Sequence, residues 1–327
     1  MDSAIVVEQL TRSFKTLVAV DHISFAVNSA EIFGFLGPNG AGKTTTVRML
    51  CTLIRPSSGN ARVAGYDISR EQNQVRRSIG IIFQEPSLDD RLTAIENLRF
   101  HGLIYHVPSQ ELNRRIQEGL EWMELSDRAR ELVRNFSGGM KRRLEICRGL
   151  LHSPRVLFLD EPTLGLDPQT RARIWERLLE LRRERGTTLF LTTHYMDEAE
   201  YCDRIAIIDH GRIIALDTPA ALKARLQGDI IRLRTADNSK AAAEIASRYG
   251  IQPAVESGII HFQISSGAEF VPKLLHELSV PVISVTVQPP TLDDVFLNLT
   301  GREIRDESAS ARDRLRSTIR QMGRAGR

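Results

Sequence analysis

The sequence predicts an α/β fold on a parallel-sheet core, with a helical insert and a small α+β domain toward the C-terminal end. Three observations predict it. Apolar runs of parallel-strand type recur at residues 32–36, 156–159 and 188–192. Stretches with apolar residues three and four apart, at 92–106 and 109–125, read as amphipathic helices between them. A glycine-rich segment, Gly37-Pro38-Asn39-Gly40-Ala41-Gly42-Lys43-Thr44, follows the first apolar run and opens a helical stretch.

The chain has 327 residues, enough for about two domains, and 42% of them are hydrophobic, which is ample for a core. Forty-four Lys and Arg against 41 Asp and Glu leave a formal charge of +3, too balanced to argue for a nucleic-acid binder. The first residues lack a basic segment followed by an apolar core, so no signal peptide is expected. No apolar run approaches the roughly 18 residues of a membrane-spanning helix. Cys51, Cys147 and Cys202 are odd in number and far apart, so reduced thiols in a cytosolic setting are expected. Internal repeats and low-complexity tracts are absent.

Taken in order, the strand at 32–36 feeds the glycine-rich loop, and a helix is expected from Lys43 to about residue 53. The glycines let backbone N–H groups reach phosphate oxygens, and the helix offers its positive end to the anion. A nucleoside triphosphate is therefore the expected ligand, with Lys43 on the β/γ-phosphates and the Thr44 hydroxyl on Mg²⁺. Residues 80–84 read as a short strand ending in Gln84, before the turn Glu85-Pro86-Ser87. The insert is placed at about 89–152.

Phe136-Ser137-Gly138-Gly139-Met140 opens a helix that alternates basic residues with an apolar stripe of Met140, Leu144, Cys147 and Leu151. Its Ser hydroxyl and exposed N–H groups suit a second anion site; a flexible turn is the other reading. The run at 156–159 ends in Asp160-Glu161, where α/β sheets bind ligands. Asp160 suits Mg²⁺, and Glu161 suits orienting or deprotonating the water in an in-line phosphoryl transfer. Gly165-Leu166-Asp167-Pro168 turns the chain into a helix over about 169–185, and the strand at 188–192 leads to His194, placed for a γ-phosphate hydrogen bond, with a satisfied core imidazole as the other reading.

Gly37 to Thr44, Gln84, Ser137-Gly138-Gly139, Asp160-Glu161, Asp167 and His194, in that order, resemble an ABC transporter ATPase subunit over about residues 4–218. The resemblance implies a P-loop ATPase with ATP and Mg²⁺ as cofactors. It implies nucleotide contacts from the loop through Thr45, from Ser137, Gly138, Gly139 and Asp167, and from Phe14 stacked on adenine. A core phenylalanine on a strand is the other reading of Phe14. Catalysis falls to Glu161, His194 and Gln84, and Mg²⁺ to Thr44, Gln84 and Asp160. Gln84 then belongs to the loop that contacts the membrane subunit. Phe136 and Met140 depart from the common Leu-Ser-Gly-Gly-Gln signature, which puts only the contacts of its terminal Gln in question. In such subunits the signature of one copy closes over nucleotide on the other, so a head-to-tail homodimer is expected. Separately encoded integral membrane permease subunits are the expected partners, at the cytoplasmic side of the cell membrane, with membrane contact mainly through the permease and no nucleic acid. The implied function is the motor of an exporter of a drug, antibiotic or lipid-like compound. A non-transport ABC ATPase acting on ribosomes or nucleic acid, and a small-molecule kinase, are the alternatives.

The first domain is expected to end at residue 218. A second, 219–300, reads strand 229–235, helix 239–249, strands 251–255 and 258–264, helix 269–278 and strand 282–288, an order that suggests a split βαβ unit with a regulatory or dimer-supporting role. Residues 289–301 resemble the C-terminal segment of the daunorubicin/doxorubicin-resistance type of ABC ATPase. The tail, 301–327, carries eight arginines against four acids and reads as disordered, with attraction to anionic lipid as the sharper alternative.

Overall fold

A computed structural model describes residues 2–300 except 227 and 257; the tail expected at 301–327 lies outside the described residues. Two compact units divide the chain, one ending at Thr218 and one beginning at Pro219.

The first unit opens with β1 (Ser3–Phe14), β2 (Leu17–Asn28) and β3 (Ile32–Leu36), then α1 (Lys43–Leu50), β4 (Ser58–Val63), β5 (Tyr66–Asp67), α2 (Gln72–Ser78) and β6 (Ile79–Ile82). The insert holds α3 (Ala94–Ile104), α4 (Ser109–Trp122) and α5 (Gly138–Leu150). There follow β7 (Val156–Asp160), α6 (Pro168–Arg185), β8 (Thr188–Thr193), α7 (Met196–Ala199), β9 (Arg204–Asp209) and β10 (Arg212–Asp217).

Six strands form one sheet in the order β10-β9-β3-β8-β7-β6, parallel except for β10. Every residue of β3, β7 and β8 is buried, as expected of strands covered on both faces. A second, antiparallel sheet, β2-β1-β4-β5, is a feature the apolar runs did not announce. The rings of Phe25 on β2, Phe33 on β3 and Phe190 on β8 lie within 6.1 Å of one another, centroid to centroid, so the two sheets meet through aromatics. Truncating such a ring in a packed core costs about 3–5 kcal/mol.

Several boundaries differ from expectation for local reasons. α1 stops at Leu50, short of residue 53, because Thr52 takes a left-handed φ of 61° and the Leu53 N–H donates back to the Arg48 carbonyl at 2.8 Å. α3 starts at Ala94 because Thr93 and Glu96 form a reciprocal capping box. β6 ends at Ile82 because the next two carbonyls, of Phe83 and Gln84, accept from the Arg142 guanidinium rather than from a strand.

The second unit runs α8 (Pro219–Ala224), β11 (Asp229–Thr235), α9 (Asn238–Tyr249), β12 (Ala254–Glu256), β13 (Ile259–Ile264), α10 (Gly267–Glu277), β14 (Val282–Gln288) and α11 (Leu292–Thr300). Its sheet is antiparallel in the order β12-β13-β11-β14, the arrangement of a split βαβ unit. Ile231, Leu233, Ile245, Ile260 and Leu274 are its fully buried centre. β12 begins after Pro253, which has no N–H to give a ladder.

Candidate active site

The glycine-rich loop leaves the buried end of β3 and turns into α1. At Gly37 a Cβ would fall 2.2 Å from the Ile208 carbonyl oxygen, so the close approach requires glycine there. Gly42 caps α1 at φ 111° with no side-chain hydrogen bond to the first turn. Asn39 and Gly40 are exposed at the tip, whereas Ala41, Gly42 and Lys43 are buried and Thr44 and Thr45 half-buried. Lys43 folds back over the loop, its Nζ donating to the carbonyls of Gly37 at 2.7 Å and Pro38 at 3.2 Å. Burial pulls its pKa below the usual lysine value, against the opposing pull of the Glu161 and Asp160 carboxylates.

Sheet order brings the acids to this loop, since β8 lies between β3 and β7. Asp160, at the end of β7, is 4% exposed; its Oδ1 accepts from Thr192 Oγ1 on β8 at 2.5 Å and from Thr44 Oγ1 on α1 at 3.4 Å. Glu161 adopts a left-handed φ of 49°. Its N–H donates to both the carbonyl and the hydroxyl oxygen of Thr192, each at 3.1 Å. Glu161 Oε1 then lies 3.9 Å from Lys43 Nζ and 3.3 Å from His194 Nδ1. The His194 ring packs tilted against Tyr195, centroids 4.2 Å apart, and the Arg171 guanidinium covers the Tyr195 ring at 4.4 Å.

The signature turn belongs to a second group. Ser137 caps α5 by accepting from the Met140 N–H at 3.3 Å, and Asp167 caps α6 by accepting from the Thr170 N–H at 3.0 Å, a bond that holds its carboxyl below the usual range. The two caps share one floor: a Cβ on Gly139 would lie 2.8 Å from Thr170 Cγ2. Above it, Gly138 faces open space, with nothing within 4 Å of a Cβ built there.

Phe14 ends β1, paired with Leu17 across the β1–β2 turn, and is 43% exposed with the Arg12 guanidinium 4.5 Å over its ring. β2 also carries Ala19, whose carbonyl backs Gly42. Gln84 is exposed, and its backbone carbonyl takes Arg142 Nη2 at 3.1 Å. The candidates thus fall into one group around Lys43, Thr44, Asp160, Glu161 and His194, and another around Ser137, Gly138, Gly139 and Asp167.

Some supporting residues escaped the sequence reading. Arg142 and Glu145 sit on the helix taken to have a basic face, yet both are buried and paired at 3.2 Å. Their i,i+3 spacing is the signal that points to them. Glu198, 1% exposed, accepts from Thr193 at 2.8 Å and from Thr163, tying the loop after Glu161 to the residues before His194.

Comparison with known proteins shows the family. A family model described as ABC transporter matches residues 20–164. The linearmycin resistance ATP-binding protein LnrL of Bacillus subtilis is 40% identical over 313 residues, covering 91% of this chain and 99% of the relative. The daunorubicin resistance ATP-binding protein DrrA3 of Streptomyces coeruleorubidus is 39% identical over 315 residues, covering 94% of this chain and 99% of the relative. An ATP-binding cassette solved as a dimer in a post-hydrolysis state with ADP and Pi superposes with a TM-score of 0.61 at 26% identity, covering 65% of this chain and 98% of that one. At these identities and coverages, this protein belongs to the ABC transporter family as an ATP-hydrolysing, ATP-binding member.

Proposed function

We propose that the chain is the motor subunit of an exporter, working as a head-to-tail homodimer in which each nucleotide lies between the Lys43 group of one copy and the Ser137 group of the other. The observation that carries this reading is the open face at Gly138 beside two capped helix ends, a complementary half-site on the chain that also holds the phosphate loop. The cassette solved as a dimer with ADP and Pi supports a dimeric, nucleotide-bound state.

Within each site, the loop from Gly37 to Thr45 cradles the phosphates, and Lys43 exchanges its two carbonyl contacts for phosphate oxygens. Phe14 stacks on adenine. Glu161 orients or deprotonates the attacking water, His194 donates a hydrogen bond to the γ-phosphate, and Gln84 lines up the water from the end of β6. Thr44 and Asp160, sharing a 3.4 Å hydrogen bond, offer the hard oxygen donors that Mg²⁺ favours, with Gln84 as a further oxygen. Mg²⁺ would neutralise charge on the β- and γ-phosphates.

Among the described residues no helix is long and apolar enough to cross a bilayer. The proposed transport path belongs to separately encoded permease subunits, which hold the motor at the cytoplasmic face. Phe100, Leu103 and Ile104 on α3, between 56% and 61% exposed at three- and four-residue spacing, are the proposed docking stripe. The resistance-type relatives point to a drug, antibiotic or lipid-like cargo, and the second unit takes a regulatory or dimer-supporting role. Analytical ultracentrifugation of Glu161→Gln with saturating ATP tests the dimer. A dimer is expected; a persistent monomer overturns the reading.

A further inference from the structure

We propose that the buried Arg142–Glu145 pair links the signature turn to the water-handling residues of its own chain, with Arg142 as a positioning residue for Glu161 and Gln84. The inference rests on the site reading given above. Arg142 lies on α5, which Ser137 caps, and its side chain is 6% exposed while that of Glu145 is fully buried.

A guanidinium offers five donors in a planar fork, and here the fork is spread over two strand exits. Nη1 donates to the Phe83 carbonyl at 2.5 Å and to Glu145 Oε2 at 3.2 Å. Nη2 donates to the carbonyls of Gln84 at 3.1 Å and Glu161 at 3.2 Å. The other Glu145 oxygen accepts from the Ser87 N–H at 2.7 Å and lies 3.6 Å from Arg148 Nη2, so Glu145 aims Arg142 and anchors the far side of the Gln84 loop.

The backbone of Glu161 makes this arrangement consequential. A glutamate at a φ of 49° sits in a region that disfavours side chains with a Cβ, and the surroundings must hold it there. Thr192 holds it by the N–H and Arg142 by the carbonyl. That pinned conformation turns Oε1 toward Lys43 and His194. Because α5 also presents Ser137 to nucleotide on the second copy, a shift of that helix on closure would move the backbones of Glu161 and Gln84 in its own site. Loading of one site is thereby transmitted to the other. Lysine keeps the charge opposite Glu145 but has no planar fork to span three carbonyls.

The test uses the full chain with Arg142→Lys and with the double variant Arg142→Met/Glu145→Leu, which replaces the buried pair by apolar packing. Each is followed by thermal melting, fluorescent-ATP binding and steady-state phosphate release. Both variants are expected to fold and to bind nucleotide within about twofold of the parent. Their kcat is expected to fall about ten- to a hundredfold, because a small misplacement of the reacting groups is enough. Parental kcat in either folded variant overturns the proposal, as does a loss of affinity equal to the loss of kcat. Glu161→Gln is measured alongside. If it hydrolyses ATP at the parental rate, the site reading fails; if it is inactive while Arg142→Lys is fully active, only the present inference fails.

Discussion

Glu161 Oε1 faces two cationic or polar nitrogens at once, Lys43 Nζ at 3.9 Å and His194 Nδ1 at 3.3 Å, although the three residues come from three different strand exits. Replacing the carboxylate by an amide keeps the shape and removes the proposed base. Glu161→Gln is expected to lower phosphate release about a hundredfold or more, the scale of a lost general base, with nucleotide binding retained. Steady-state kinetics together with fluorescent-ATP titration check it.

Asp160 depends on a donor that is not its own neighbour in sequence. Thr192→Val removes the hydroxyl 2.5 Å from Asp160 Oδ1 and leaves a buried carboxylate short of a hydrogen bond. A loss of about 1–3 kcal/mol in unfolding free energy is expected, measured by urea denaturation. An unchanged midpoint would show that Asp160 does not need this bond.

Two glycines should respond in opposite ways. Gly42→Ala meets both a φ of 111° and a backbone oxygen, that of Ala19, 2.6 Å from the new Cβ, so a lowered melting temperature and weakened nucleotide binding are expected. Gly138→Ala meets nothing within 4 Å, so its stability should match the parent. Its hydrolysis should nevertheless drop, because the open space is proposed to face nucleotide on the second copy. Parental hydrolysis by Gly138→Ala would remove that role.

The contact between α3 and the chain after α5 is expected to be acid-sensitive. Tyr105 stacks on His152 at 3.9 Å, with His101 4.7 Å from Tyr105. Burial, then the Arg148 charge and His152, push the His101 pKa from 6.5 down to about 3. Between those values the unfolded chain binds a proton that the folded chain refuses, so stability falls as pH drops from 6.5 toward 3 and is unaffected above 6.5. His101→Phe should flatten this part of the stability profile, as read by denaturation at stepped pH.

The strand before the phosphate loop and those at β7 and β8 are readable as uninterrupted apolar runs because both faces of a parallel sheet are covered. The antiparallel sheet was harder to read. β1 and β2 are long, but their pairing shifts register at several points between Ser3 and Ser13, and each shift breaks the two-residue alternation that announces a strand. Arg142 and Glu145 hid for a different reason. A charged pair on an amphipathic helix reads as a solvated face, and only the loops packed over α5 bury it.

Local chemistry, then, is written in the chain: glycine where backbone packs closely or turns with a positive φ, an apolar run where a strand has no wet face, a serine or aspartate where a helix needs a cap. These depend on residues a few positions apart, and spacing alone reveals them. Distances across the site do not. That Asp160 accepts from Thr44 on one side and Thr192 on the other, and that one guanidinium reaches the carbonyls of Phe83, Gln84 and Glu161, follows from the strand order β3-β8-β7-β6 and from the packing of α5 over its end. That order is set by long-range burial among segments far apart in the chain, which no local pattern encodes.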